Sequence, residues 1–284
     1  MSVSQSEKAK KFRALHAGPR AFIIPNPWDV GSARALAALG FQALATTSAG
    51  FAFSHGRRDG EMTREEVLAH CRAIVEASDL PVAADLENCF GDEATTVAGM
   101  VWEAAGTGIV GGSVEDASGY GHIYEYEHAV ERVAAAVESA RRLPFPFTLT
   151  ARAENFLHGR SNIDDTIRRL QAFAAAGADV LYAPGLPSLK AIREVCAAVA
   201  PKPVNVLAGM KGANFPLAEL EAAGARRISL GGALARAALG ALMSAGREMK
   251  EKGTFTFVDE AAPSAEVNGM MTDRSREAGK RGND

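Results

Sequence analysis

Eight times along the chain a short apolar run of strand type is followed by a helix-forming segment, with little chain left over between units. A strand, a helix and a further strand in that order form a βαβ unit, so this alternation places the strands in one parallel sheet with the helices packed outside it. The predicted pairs are strand 21–26 with a helix ending at Gly40, 43–47 with 63–78, 82–87 with 92–105, and 108–115 with 125–142. They continue as 147–153 with 163–176, 180–183 with 188–199, 204–208 with 217–223, and 228–230 with 233–250. Asp29 or Ser32 can cap the first helix, and Thr63-x-x-Glu66 is a capping box for the second. Helices end at glycine just before the next strand, as in Ala176-Gly177-Ala178 and Ala223-Gly224-Ala225. Eight units without a two-domain break predict a (β/α)₈ barrel over residues 1–252. The alternative is an open doubly wound sheet, but no G-x-G-x-x-G follows the first strand to support its nucleotide site. From about Gly253 the chain turns polar, so 253–284 is expected to be a C-terminal extension, disordered over 272–284.

A barrel of this kind builds its site at the C-terminal ends of its strands, which makes each polar residue there a candidate. Two neighbouring ends carry acids: Asp85-Leu86-Glu87-Asn88 after Pro81–Ala84, and Glu115-Asp116 after Gly111–Val114. Asp85 and Glu87 are two residues apart and point the same way on an extended backbone, and Glu115 can approach from the next strand. Hard oxygen donors without His or Cys suit Mg²⁺, with Mn²⁺ also possible, better than Zn²⁺. The same acids also suit helix caps and rim ion pairs. Asp59, in the loop after the second strand, adds another carboxylate.

Strand one ends in Asn26-Pro27-Trp28-Asp29, and strand two in Thr46-Thr47-Ser48-Ala49-Gly50, small-residue backbone suited either to offering N–H groups to a carboxylate or to a simple tight turn. Arg152 stands among apolar neighbours at the end of strand five. A buried guanidinium needs an anion, and its planar fork grips a carboxylate at two points, so Arg152 is expected to meet substrate, with a structural pair to Glu154 or a site carboxylate as the alternative. Asn205, inside strand seven, needs hydrogen-bond partners on whichever face it lies.

A net charge of −3 offers no electrostatic footprint for nucleic acid or an anionic membrane. Three well-separated cysteines, Cys71, Cys89 and Cys196, with no C-x-x-C, favour a reducing compartment. Residues 1–20 lack an apolar signal core, and the apolar stretch 231–245 is interrupted by Arg236 and too short to span a bilayer. The expectation is a cytoplasmic enzyme acting on a small molecule.

Taken in order, Asn26–Ala33, Thr47–Ala52, Ala84–Asn88, Gly112–Asp116, Thr150–Glu154, Ala183–Leu186 and Pro203–Gly209 resemble the motif series of the isocitrate lyase/phosphoenolpyruvate mutase superfamily, over roughly residues 10–250. The resemblance implies a barrel whose eighth helix swaps between subunits of a homodimer or homotetramer. It implies Mg²⁺ held directly by Asp85 and through waters by Glu87, Glu115 and Asp59. It also implies a substrate carboxylate held by the backbone of Ser48, Ala49 and Gly50 and by Arg152, with Trp28, Thr47 and Asn205 as further candidates for substrate contact.

The loop after strand four departs from the pattern of the superfamily. The isocitrate and methylisocitrate lyases carry a K-K-C-G-H type loop whose Cys supplies a proton, whereas here 117–125 reads Ala-Ser-Gly-Tyr-Gly-His-Ile-Tyr-Glu. Tyr120, His122 and Tyr124 are the replacement acids this loop offers; His122 joins Glu115 and Arg152 as a candidate catalytic group. Cys89 is a further alternative. With no Lys or Arg from 117 to 131, the loop also lacks the cations expected to close over a phosphonate, although Arg57, Arg58, His158 or Arg160 could supply them. The function expected is therefore Mg²⁺-dependent C–C cleavage of a small 2-oxo or 2-hydroxy acid, by oxaloacetate-type decarboxylation or 2-methylisocitrate-type retro-aldol chemistry, through an enolpyruvate-like intermediate behind a gate loop at 118–126. The alternatives are C–P chemistry, of the phosphoenolpyruvate mutase or phosphonopyruvate hydrolase type, and a non-catalytic 2-oxo acid binding protein.

Overall fold

The computed structural model describes residues 3–119, 121–210 and 214–271. Eight parallel strands form one sheet: β1 (Phe22–Ile24), β2 (Leu44–Ala45), β3 (Val82–Asp85), β4 (Gly111–Glu115), β5 (Thr148–Arg152), β6 (Val180–Tyr182), β7 (Val204–Leu207) and β8 (Arg227–Ser229). Each pairs with its sequence neighbour from β2 to β8, and β8 pairs with β1. The seam between β1 and β2 is bridged by the Ala45 N–H donating to the Pro25 carbonyl at 3.1 Å and by the Asn26 amide donating to Thr46 at 2.9 Å. The result is the expected (β/α)₈ barrel, nearly closed.

Outside the strands lie α2 (Val30–Ala38), α3 (Ser48–Ser54), α4 (Arg64–Glu76), α5 (Ala94–Ala105), α6 (Tyr126–Arg141), α7 (Ile163–Ala175), α8 (Leu189–Ala198), α9 (Leu217–Ala222) and α10 (Ala233–Lys252). At the start of α2 both predicted caps act: Asp29 accepts the Ser32 N–H while the Ser32 hydroxyl accepts the Asp29 N–H. The Thr63/Glu66 box opens α4.

Two elements differ from the sequence expectation. The polar lead-in folds as α1 (Gln5–Ala17), opened by a Ser4/Glu7 capping box, with Ala9, Phe12 and His16 on its buried face. It closes the N-terminal end of the barrel. Gln5 donates to the Ala105 and Ile109 carbonyls, Lys8 donates to Ser78, and Phe12 packs with Phe22, Ile24, Ala43, Ala83 and Val110. Gly111 makes room for the plug, since a Cβ there would lie 3.0 Å from the Phe12 ring. The second difference is α3: the predicted small-residue turn after strand two is the first turn of a seven-residue helix capped by Thr47.

Beyond α10 the chain forms a 3₁₀ turn (Thr256–Glu260) and α11 (Ser264–Met270), which lies against α2, where Arg34 donates to the Met271 carbonyl. The disorder expected over 272–284 concerns residues outside those described. No helix among the described residues is long and apolar enough to cross a membrane.

Candidate active site

Asp85, Glu115, Arg152 and Tyr182 are each the last residue of their strand, β3 to β6 in turn, so the sheet register brings four polar groups to one rim. Glu115 stands beside Arg152, and Arg152 beside Tyr182. They line a cavity of about 480 Å³ together with Thr47, Ser48, Ala49, Asp59, Glu87 and Asn205. Most of the residues singled out from the sequence therefore converge on one space.

Arg152 is the hub. Its Nη1 lies 3.1 Å from Asp85 Oδ1 and 2.8 Å from Glu115 Oε1, its Nε lies 2.6 Å from Glu154 Oε1, and its plane sits 4.9 Å over the Tyr182 ring. Arg152 thus makes the structural pair with Glu154 that the sequence allowed, pairs with Asp85 and Glu115 as well, and lines the cavity. Asp85 is fixed further by the Ser48 N–H at 3.3 Å and by donation of its own N–H to Thr46 Oγ1 at 2.9 Å.

The cavity holds more carboxylate than its cations balance. Burial works against the Arg152 charge, yet Glu115, Glu154 and Asp85 outweigh it and hold the guanidinium firmly protonated. Burial, with the repulsion of Asp85 and Asp59, pushes Glu87 up to about 8. Burial likewise raises Asp59, and it raises Glu115 well above the carboxylate range with Glu154, Asp85 and Glu87 adding to the effect. Acids this crowded favour a counter-cation. Among the described residues, no three His, Cys, Asp or Glu side chains form a ready-made ligand set. An all-oxygen group of separated carboxylates around Asp85 fits a hard divalent ion that keeps several of its waters, as Mg²⁺ does.

Other predicted residues stand elsewhere. Gly50 turns its N–H to Thr47 Oγ1, and a Cβ on it would lie 2.9 Å from Trp28 Cβ and 3.2 Å from Ala235 Cβ. Trp28 and Gly50 line a separate cleft with Phe53, Leu239 and Leu242 rather than the acidic cavity. His122 is not among the cavity's lining residues; its N–H donates to Ser118 Oγ. The Tyr124 hydroxyl is committed to Asp92 and Asn88, and Tyr120 lies outside the described residues. Cys89 is fully buried, and burial pushes its thiol up to about 12.

The cavity also contains groups that sequence reasoning passed over. His158, considered only as a source of charge, lines it where the loop after β5 meets Gly121 of the gate loop. Arg227 forms part of the floor, donating to Asn205 Oδ1 at 2.9 Å, Thr150 Oγ1 at 3.0 Å and His16 Nε2 at 3.4 Å. Its signal was the same as that of Arg152, an arginine inside a strand, but the predicted strand began one residue later. Asn205 is held by Arg227 and by Ser229.

The family model described as phosphoenolpyruvate phosphomutase matches residues 12–250. The 2,3-dimethylmalate lyase of Eubacterium barkeri is 32% identical over 234 residues, covering 76% of this chain and 77% of its own length. The crystal structure of a candidate lyase/mutase from Burkholderia cenocepacia J2315 superposes with a TM-score of 0.93 at 55% identity, covering 95% of this chain and 97% of that one. A candidate phosphonomutase from the same organism superposes with a TM-score of 0.80 at 34% identity, covering 88% of this chain and all of that one (100%).

Proposed function

Because the chain belongs to the phosphoenolpyruvate mutase family, within the isocitrate lyase/phosphoenolpyruvate mutase superfamily, we propose that it is an Mg²⁺-dependent lyase that breaks a C–C bond in a small 2-oxo or 2-hydroxy acid. Both lyases and a candidate phosphonomutase stand among its relatives, so family alone does not choose the bond. The observation that carries the choice is how little cationic charge faces the gate: of the four side chains considered for that role, His158 alone lines the cavity. Among the described residues, those of the gate loop that line the cavity are Ser118, Gly119 and Gly121. Arg57, Arg58 and Arg160 do not line it, and Arg57 is paired with Glu66. A phosphonate dianion would need cations there, whereas a departing CO₂ or carbonyl compound does not.

Asp85 would hold the cation directly, and Glu87, Glu115 and Asp59 through water. A divalent ion bound there supplies positive charge where the C1 carboxylate and C2 oxygen become more negative as the bond breaks. Arg152 orients the carboxylate and adds a second fixed positive charge. Ser48 and Ala49, in the first turn of α3, line the cavity; the Ser48 N–H is given to Asp85, so the Ala49 N–H would be the one to take a carboxylate oxygen. The gate loop keeps water from the enolate. A proton must then reach C3, and His158 is the cavity-lining imidazole placed to deliver it. This places the proton donor one loop away from His122.

The same groups would serve a protein that binds a 2-oxo acid without turning it over, so turnover has to be measured. The assay is pyruvate release from oxaloacetate, 2-methylisocitrate and phosphonopyruvate, with and without Mg²⁺, using wild type and Asp85→Ala. Metal-dependent pyruvate from either of the first two, lost in the variant, supports the proposal. Turnover of phosphonopyruvate alone moves C–P chemistry ahead, and binding without product favours the non-catalytic reading.

We also propose that α10 is exchanged between subunits of a homodimer or homotetramer. Its support is a 20-residue helix with one buried residue, Ala235, and with Leu242 and Met243 more than half exposed at 66% and 54%.

A further inference from the structure

We propose that Arg132, on the middle of α6, is a positioning residue for the candidate cation site, holding the strained turn that carries Glu87 and tying that turn to the base of the gate loop. The inference rests on the cation reading given above. After β3 the backbone enters the left-handed region three times within four residues, at Glu87 (φ 50°), Cys89 (φ 64°) and Phe90 (φ 61°). None is glycine, so each Cβ crowds its own backbone there, and such a turn persists only where its surroundings over-determine it.

Arg132 supplies that determination. It is 1% exposed, and its fork reaches three carbonyls of the turn: Nη2 donates to Asn88 at 2.6 Å, and Nη1 to Gly91 at 2.6 Å and to Asp92. A buried guanidinium whose two terminal nitrogens both donate to the backbone of one turn fixes the path of that turn. The path matters because the Glu87 N–H points to Asp85 Oδ1 at 3.5 Å, so the turn sets one carboxylate against the other.

Tyr124 completes the latch. Its ring lies 4.3 Å under the Arg132 guanidinium, its hydroxyl donates to Asp92, and it accepts from the Asn88 amide at 3.3 Å. Tyr124 also belongs to the gate loop, directly after the bridge at its base. Its N–H donates to the Asp116 carbonyl at 2.9 Å, just beyond the bridge between Ala117 and Ile123 that closes the loop's base. One guanidinium therefore touches both the turn that aims Glu87 and the residue that anchors the gate. The order of the cation site and the position of the gate are linked through it.

The test is the affinity of the full-length protein for Mn²⁺ alone, read by electron paramagnetic resonance, alongside the thermal midpoint of each variant. Groups that orient the ligands of a metal from behind are worth about 10–100-fold in affinity. Arg132→Gln is expected to weaken Mn²⁺ by about that factor while remaining folded, and Tyr124→Phe, which keeps the ring and loses the hydroxyl, to weaken it less. Adding Cys89→Gly to Arg132→Gln relieves one left-handed residue and is expected to restore part of the affinity, which general loss of stability would not do. Wild-type affinity in Arg132→Gln overturns the proposal. If that variant does not fold, wild-type affinity in Tyr124→Phe overturns it and weakened affinity supports it. If wild type binds no Mn²⁺ at all, the cation reading fails and this inference falls with it, an outcome distinct from a bound ion indifferent to Arg132.

Discussion

Removing the Arg152 guanidinium would leave Asp85, Glu115 and Glu154 facing one another in a largely buried cavity. Stripping one partner from a buried ion-pair network costs about 3–5 kcal/mol, so Arg152→Gln is expected to lower stability in urea unfolding by that order. Losing a preorganised donor to developing negative charge costs about 10²–10³-fold in rate, and kcat/KM should fall at least that far. Arg152→Lys should restore little of it, because an ammonium cannot span Asp85, Glu115 and Glu154 as the fork does. His158 makes a different prediction, because it is assigned to the proton at C3 and not to binding. In D₂O with Mg²⁺ the wild type should exchange the methyl protons of pyruvate, followed by proton NMR. His158→Gln should lose the exchange while still binding oxalate, a planar mimic of the enolate. Exchange at the wild-type rate in His158→Gln would remove His158 from the reaction.

At the level of elements, α1 is what the N-terminal end of the barrel needs to exclude water. Phe12 is fully buried among residues at the starts of the strands, and truncating such an aromatic costs about 3–5 kcal/mol. Phe12→Ala is therefore expected to lower the urea midpoint strongly without altering the denaturant slope. The sequence hid α1 because its surface is mostly charged and its buried stripe is only Ala9, Phe12 and His16 with the stem of Lys8. The eight barrel strands were legible for the opposite reason: buried on both faces, they read as apolar runs, and their capped helices announce themselves. The acids at the ends of β3 and β4 were visible because a carboxylate at the end of an apolar run has little structural excuse. Trp28 and Gly50 show where such reasoning stops. Their neighbours Ser48 and Ala49 line the cavity, but the helical rotation from residue to residue turns Gly50 onto Trp28 and Ala235, and a helix beginning at Ser48 was not foreseen.

Over the whole molecule, buried histidines and buried carboxylates pull the acid response of stability in opposite directions. Burial, with the Arg227 charge, lowers His16 from 6.5 to about 3, and burial, with His55, lowers His70 from 6.5 to about 4. Both are neutral in the fold and take up protons when the chain unfolds, so the unfolded state binds more protons below 6.5 and acid favours it. The histidine contribution is full above pH 6.5 and falls as the pH drops toward 4, by up to about 1.4 kcal/mol per pH unit for each, whereas Glu87, raised to about 8, favours the fold as it takes up its proton below that pH. Urea unfolding at pH 7.5 and 5 isolates the histidine contribution when wild type is compared with His70→Gln, which should lose less stability on acidification than wild type does. Assembly is tested by Leu242→Glu with Met243→Glu, which should shift the protein toward monomers in light scattering if α10 is buried between subunits.

The central claim is that one cavity takes a divalent cation and an enolate-like anion together. Titrating oxalate into the protein by calorimetry, with and without Mg²⁺, tests it most directly. Coupled sites strengthen each other reciprocally by about 5–150-fold. Oxalate should therefore bind at least about 10-fold tighter with Mg²⁺, and this gain should vanish in Asp85→Ala. Oxalate affinity that is unaffected by Mg²⁺, or a gain that survives Asp85→Ala, would contradict the account.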